Sequence, residues 1–417
     1  MSIEIRRAIS VVSSIVFLTS LCVNVTASTD PPSLPPKAAL TSTDGLIEFG
    51  VDVAVSGDTV VVVGGGGLGR VYLYTRPPSG WADMTPTATL TASDGSALSS
   101  VAIAGNTVVA GSAGGEACVF VQPAGGWTDM TETAKLTSSD GAGAFGYSVA
   151  INLSQNTIVV GAPENNSIGV VGADRPTANA GAVYVFAEPA GGWTSTTETA
   201  KLTASDGAAD DDLGWSVAIQ ADTVVGGAPN ATVGGNIYQG ALYVFVKPDG
   251  NWTSTTQTAK LSGSFAIIGT LGESVSTSDN TILAGGYGNA KLFVQPAGGW
   301  TDATTQTAQL SDRGGREECN VGCFGWSVSI SDNIAVVGAP EYSSKPGPTF
   351  SVADIFHKPG GGWSNMTENF LLQSPVDDGN TSYAWSVAVS GRTVVVGYPQ
   401  LFGCGSGTSC GSVAYVY

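Results

Sequence analysis

Short alternating segments of apolar and small polar residues recur along this chain. FGYSVAI at 145–151 alternates, and after a turn comes NTIVVGAP at 156–163. A loop of variable length leads to GAVYVF at 181–186, and a polar segment, EPAGGWTSTTETAKL, crosses to the next copy. Runs of four to six residues with period two, bounded by Gly, Pro, Asn and Asp, predict short strands. Each copy gives four of them: SVAI, TIVVG, AVYVF and AKLT, here called a, b, c and d.

The copies are ordered and numerous. Anchored on the leucine of strand d they fall at Leu40, Leu90, Leu136, Leu202, Leu261, Leu310 and Leu372. A four-stranded unit repeated at this length predicts an all-β, seven-bladed β-propeller of four-stranded blades. The last copy stops at strand c, GSVAYVY at 411–417, and the first begins with a lone strand d, AALT at 38–41. Pairing these two closes the ring and removes two exposed sheet edges, so the N-terminal strand is expected as the outer strand of the last blade.

Seven ordered copies, of which one, two, five and seven are degenerate (Gly64-Gly65, Gly111-Ser112, Gly285-Gly286 and Gly397-Tyr398-Pro399), resemble the FG-GAP repeat of integrin α-subunit propellers and related secreted proteins. The match is best at Phe145-Gly146 with Gly161-Ala162-Pro163, Leu213-Gly214 with Gly227-Ala228-Pro229, and Phe324-Gly325 with Gly338-Ala339-Pro340. The resemblance covers 38–417. It implies a propeller whose b–c and d–a loops face a ligand. One departure stands out. The family places calcium loops between strands a and b, whereas here that connection is a tight turn, as in Ser56-Gly57-Asp58 or Ser278-Asp279-Asn280. One carboxylate cannot supply the six to eight oxygens calcium takes. No cofactor is expected, and calcium remains an option only at Asp210 and Asp212.

Residues 1–27 read as a signal peptide: Arg6-Arg7, then an apolar stretch, then Val25-Thr26-Ala27. An uncleaved signal anchor is the alternative. A Pro-rich linker occupies 28–37, ahead of the propeller domain at 38–417. The chain is therefore expected to be secreted or extracellular, with no membrane span in the mature part. Composition narrows the partner. Sixteen basic against 34 acidic residues give a net charge of −18, which argues against nucleic acid. A single histidine, His357, and no nucleophile motif argue against an enzyme.

Length variation is confined to the b–c and d–a connections, the layout of a rigid scaffold carrying a binding surface. Candidate ligand contacts on that face are Asp210, Asp211, Asp212, Trp215, Trp326, Asp377, Asp378 and Trp385. The recurring Asp44, Asp94, Asp140 and Asp206 read instead as Asx turns. A second tryptophan set, Trp81, Trp127, Trp193, Trp252, Trp300 and Trp363, follows Gly in the c–d segment. It reads as plugs between blades, or else as a ring of sugar platforms. Cys319 with Cys323 and Cys404 with Cys410 are expected as local disulfides, and Cys118 as a free thiol. Sequons at Asn152, Asn165, Asn230, Asn251, Asn365 and Asn380 mean glycans if the source is a eukaryote. The leading functional expectation is a non-enzymatic adhesion or binding module for an extracellular protein. A carbohydrate-binding propeller is the alternative, and a polysaccharide hydrolase the third.

Overall fold

The computed structural model describes residues 31–44, 48–65, 69–112, 114–152, 154, 156–163, 180–263, 269–313, 324–340, 351–376, 382–400 and 412–417. Residues 1–27, read above as a signal peptide, and Cys319, Cys323, Cys404 and Cys410, expected above to pair, lie outside them, as do Asp377, Asp378, Asn165 and Asn380. Every strand-bearing sheet among the described residues is one blade. Blade three shows the pattern, with a at Ser148–Asn152, b at Thr157–Ala162, c at Ala182–Ala187 and d at Ala200–Thr203, all antiparallel. Seven such sheets form the ring. Their a strands contact one another in a closed cycle and line an axial channel of about 230 Å³. Val, Ala and Ile side chains such as Val53, Ala102, Ile151 and Val217 face it.

Closure is as the repeat phase requires. Ala38–Leu40 pairs antiparallel with Val413–Val416, so blade seven takes its outer strand from the other end of the chain. The same N-terminal stretch does more. Within the linker, Ser33 and Leu34 run parallel to Leu371 and Leu372 on blade six, and Leu40 bridges Met84 of blade one. One segment thus touches three consecutive blades.

Each blade has the four expected strands, and some gain one more. Five sheets carry a fifth, parallel strand. Four of these come from the c–d segment of the following blade: Met130–Thr131 on blade one, Thr196–Thr197 on blade two, Thr255–Thr256 on blade three and Met366–Thr367 on blade five. The cause is in the sequence. Two residues after each tryptophan stands a side-chain acceptor, and it takes the central backbone N–H of the preceding blade's strand d. The acceptors are Asp83 for Ala39, Asp129 for Thr89, Ser195 for Lys135, Ser254 for Lys201, Asp302 for Lys260 and Asn365 for Gln309. The outer edge, otherwise open to pairing with another chain, is covered. Blade four lacks the fifth strand, because the next c–d segment is one residue longer and turns at Thr301–Thr304.

The FG and GAP glycines belong to neighbouring blades. A Cβ on Gly161 of blade three would lie 2.1 Å from the carbonyl oxygen of Gly214 of blade four. The same contact recurs from Gly111 to Gly146, Gly227 to Gly272, Gly285 to Gly325 and Gly397 to Gly50. The FG glycines also need a left-handed backbone, with φ between 92° and 98°. Blade seven uses Ala384 there, at φ 63°. The junction between blades one and two is built otherwise. Val63 stands opposite Val71 where Gly161 stands opposite Val183, and blade two is one residue shorter at Leu98-Ser99-Ser100.

The inner strands are stitched by serines. Ser274, Ser276 and Ser278 accept the backbone N–H groups of Val328, Ile330 and Asp332, and Ser327, Ser329 and Ser331 do the same for Val387, Val389 and Gly391. Between blades lie apolar clusters, and Trp127, Trp193, Trp252, Trp300 and Trp363 are buried within them. Buried indoles cannot serve as sugar platforms. They fill the gaps between sheets.

Two outcomes test this packing. Gly161→Ala forces a methyl group against a backbone oxygen, so it should destabilise the chain by about 2 kcal/mol or more, while Gly191→Ala, with open space around it, should be near neutral in the same denaturation experiment. A chain beginning at Gly45 should melt well below one beginning at Ser28, because it loses the strands at Ser33–Leu34 and Ala38–Leu40. Equal melting temperatures would contradict the closure.

Candidate functional site

The position after the FG glycine opens strand a at the end of the channel where the d–a connections arrive. Blade by blade it holds Val51, then, past blade two, Tyr147, Trp215, Glu273, Trp326 and Trp385. All five of the larger residues are half-buried. The structure brings them together. Tyr147 and Trp215 meet with ring centroids 4.8 Å apart and planes at 46°, and Trp326 and Trp385 at 4.7 Å and 54°. Glu273, on the blade between, separates the two tilted pairs. The result is an aromatic crescent over five consecutive blades, open on the side of blades one and two. Trp215, Trp326 and Trp385 are the sequence candidates that converge here. Tyr147 and Glu273 join them. Their shared place after the FG glycine was a signal for both, but Glu273 in Leu271-Gly272-Glu273 is not aromatic and its copy lacks GAP, which hides the equivalence.

The crescent is electrostatically unusual. Burial pushes the Glu273 carboxyl up to about 6, against the lowering effect of a hydrogen bond from Thr270 Oγ1 at 3.3 Å. Burial and the charges of Glu273 and Asp212 push the Tyr147 phenol above its ordinary range. Nearby, Asp52 replaces the serine that other blades carry two residues after the FG glycine. Its carboxylate accepts the N–H of Val101 at 2.7 Å, the N–H of Val53 at 2.9 Å and the hydroxyl of Ser386 at 3.1 Å, linking blades two, one and seven. Burial nevertheless pushes Asp52 up to about 6.

The acidic run Asp210–Asp212 is not one exposed cluster. Asp210 is exposed with φ 68°, whereas Asp211 and Asp212 are buried. Asp211 accepts the N–H of Ala208 at 2.9 Å, and Asp212 accepts the side-chain amide of Asn230 at 2.6 Å. The Asn230 amide is engaged in the fold, unlike that of Asn251, which is exposed. Asn152 donates to the Ala221 carbonyl at 3.5 Å, and Asn365 accepts from Gln309 in the edge lock described above. Cys118 is a buried free thiol pushed up to about 12 by burial.

The recurring Asp-Gly aspartates are more than turn formers. Asp140 accepts the Tyr184 hydroxyl at 3.0 Å and the Lys201 ammonium at 2.5 Å, both from the next blade. Asp206 does the same with Tyr243 and Lys260, Asp44 with Tyr72 and Arg70, and Asp94 with Lys135. The lysine and tyrosine partners hold the Asp140 and Asp206 carboxyls below their usual range despite burial. Among the described residues one acidic group does gather its ligand atoms, within 4.8 Å: Asp312, Asp354 and Glu368, all buried between blades five and six. These could hold a cation. The sequence offered no signal for them, since they come from a d strand, a c strand and a c–d segment.

Comparison with known proteins agrees with the geometry. The FG-GAP repeat family matches residues 130–186 and 196–245. Those residues carry FG-GAP repeats, within a chain folded as a seven-bladed propeller. No curated protein matches the sequence. Among solved structures, the RRP9 WD40 repeats align at TM-score 0.57 and 11% identity over 93% of this chain and 98% of that one. U3-55K aligns at TM-score 0.55 and 11% identity over 89% and 95%. At that identity the likeness is one of propeller fold alone.

The Asp52 environment yields a pH prediction. Its folded value of about 6 lies above the ordinary 3.8, so the folded state holds a proton that the unfolded chain has lost between those values. That contribution to stability is present below pH 4 and declines as pH rises through 6. Asp52→Ser, which installs the residue of the other blades, should remove that slope. Relative to the parent chain it should gain on the order of 1–3 kcal/mol between pH 4 and pH 7. Melting curves across that range check it, and parallel pH profiles for the two chains would contradict it.

Proposed function

We propose that this chain is a non-enzymatic binding module of the extracellular space that recognises a protein partner through its b–c and d–a face. The observation that carries the reading is the aromatic crescent on that face. Tyrosine and tryptophan dominate the energetics of protein recognition, because each offers a large, rigid contact area with a polar tip. Half-buried tryptophans and a tyrosine gathered at one end of the channel fit the central anchor of a recognition surface. Other features support the setting: the signal-type segment at 1–27, the FG-GAP repeats, and a net charge of −18 that favours a partner with a basic surface. The opposite face is built of tight a–b turns such as Gly57-Asp58 and Gly391-Arg392, with little to vary.

The test is affinity capture from the surface of the source cells, followed by binding measurements with the recovered protein. Trp385→Ala should weaken binding by about thirtyfold, the cost of losing a hot-spot aromatic, while Arg392→Ala on the opposite face should leave it unchanged. Loss of binding after the partner is stripped of glycans would replace this reading by the carbohydrate-binding one. Equal effects of the two substitutions would reject the face.

A further inference from the structure

We propose that the crescent formed by Tyr147, Trp215, Glu273, Trp326 and Trp385 is a receptor for a quaternary ammonium group. The first ground is the arrangement of faces. Two tilted aromatic pairs, on blades three and four and on blades six and seven, flank a single carboxylate on blade five. Aromatic faces attract cations through their quadrupoles, and a carboxylate between them adds a full charge. The second ground is what the crescent lacks. A guanidinium brings five N–H donors and a primary ammonium three, and each donor needs an acceptor once water is displaced. The side chains at these positions offer little. Three indoles and Val51 accept nothing, which leaves the Tyr147 hydroxyl and the Glu273 carboxylate, already receiving the Thr270 hydroxyl, as the side-chain acceptors. A quaternary ammonium has no N–H group and spreads its charge over methyl groups, so it leaves no donor stranded.

Burial holds the Glu273 proton up to about pH 6 and a bound cation favours the ionised carboxylate, so affinity should fall as the solution is acidified through that value. The titratable groups at or beside the crescent are Glu273 itself, Asp212 of blade four, which reaches it through Tyr147, and Asp52 next to Val51 on the open side. The chemistry has two natural sources, a choline headgroup and a trimethylated lysine side chain. Because a small cation would suffice, the proposal goes beyond the protein-partner reading.

Calorimetric titration of the full chain with choline, at about 0.15 M salt to suppress non-specific attraction to an acidic protein, tests it directly. Choline should bind saturably, and at least about tenfold tighter than its uncharged isostere 3,3-dimethylbutan-1-ol. It should also exceed n-butylammonium and butylguanidinium. Trp326→Ala and Trp215→Ala should each weaken choline by about tenfold or more, with Trp326→Phe retaining part of the affinity should the alanine variant fold poorly. Glu273→Gln should weaken it and flatten its dependence on pH between 5 and 7. Arg392→Ala should do neither. Phosphocholine and a peptide bearing trimethyllysine then separate the two sources, the tighter one naming it. Absent saturation, parity with the uncharged isostere, or tighter binding of the guanidinium would each overturn the proposal. Choline binding without any protein partner would uphold this site and reject the protein-partner reading.

Discussion

Everything in this ring depends on two backbones coming closer than any side chain permits. The GAP glycine of one blade lies against the carbonyl of the FG glycine in the next, and a Cβ there would come within 2.0–2.1 Å of that oxygen at five junctions. This contact sets the distance between inner strands and hence the width of the channel. The same glycines also meet within a blade, where the Gly146 N–H donates to the Gly161 carbonyl at 3.2 Å, so each half of the motif contacts both its own blade and the next. The contact between blades also explains the exception. Where Val63 takes the glycine's place, blade two gives up a residue at Leu98-Ser99-Ser100, and Asp52 reaches across to the Val101 N–H. The bulk of valine is accommodated by shortening its neighbour.

Around that contact, three further sets of bonds run between blades at increasing radius. Serines stitch the a strands, Asp44, Asp94, Asp140 and Asp206 join four d–a turns to a basic residue, and in three of them also a tyrosine, of the next blade, and the residue two after each c–d tryptophan covers the outer edge. Little of the stabilisation is local to a blade. A single four-stranded sheet exposes both faces, so it gains its core only against its neighbours. The N-terminal segment, which spans blades six, seven and one, therefore serves the whole ring rather than its own strand.

Much of this was legible in the chain. Period-two segments gave the strands, and the phase of the first and last copies gave the closure. What escaped was contact between copies. Asp140 reads alone as a turn former, and only the fold shows that Lys201, in the next AKLT, is its partner. The fifth strands escaped because Thr196 and Thr197 carry no apolar alternation; their pairing is fixed by Ser195, one residue before. In the crescent, three tryptophans were visible as candidates, but Glu273 was not, because its chemistry differs from theirs while its position does not. Asp312, Asp354 and Glu368 meet only through the packing of two sheets.

The account divides each FG-x-S motif by single residues: the glycine and serine hold the ring, and the residue between them is left for recognition. The most direct measurement is the melting temperature of the chain carrying Trp326→Val and Trp385→Val, the residue that blade one already holds at Val51. The account predicts a fall of no more than about 3 °C, since neither indole is needed between blades. A collapse as large as that caused by a methyl group at a GAP glycine would contradict it, and would make the crescent part of the fold rather than a place for a ligand.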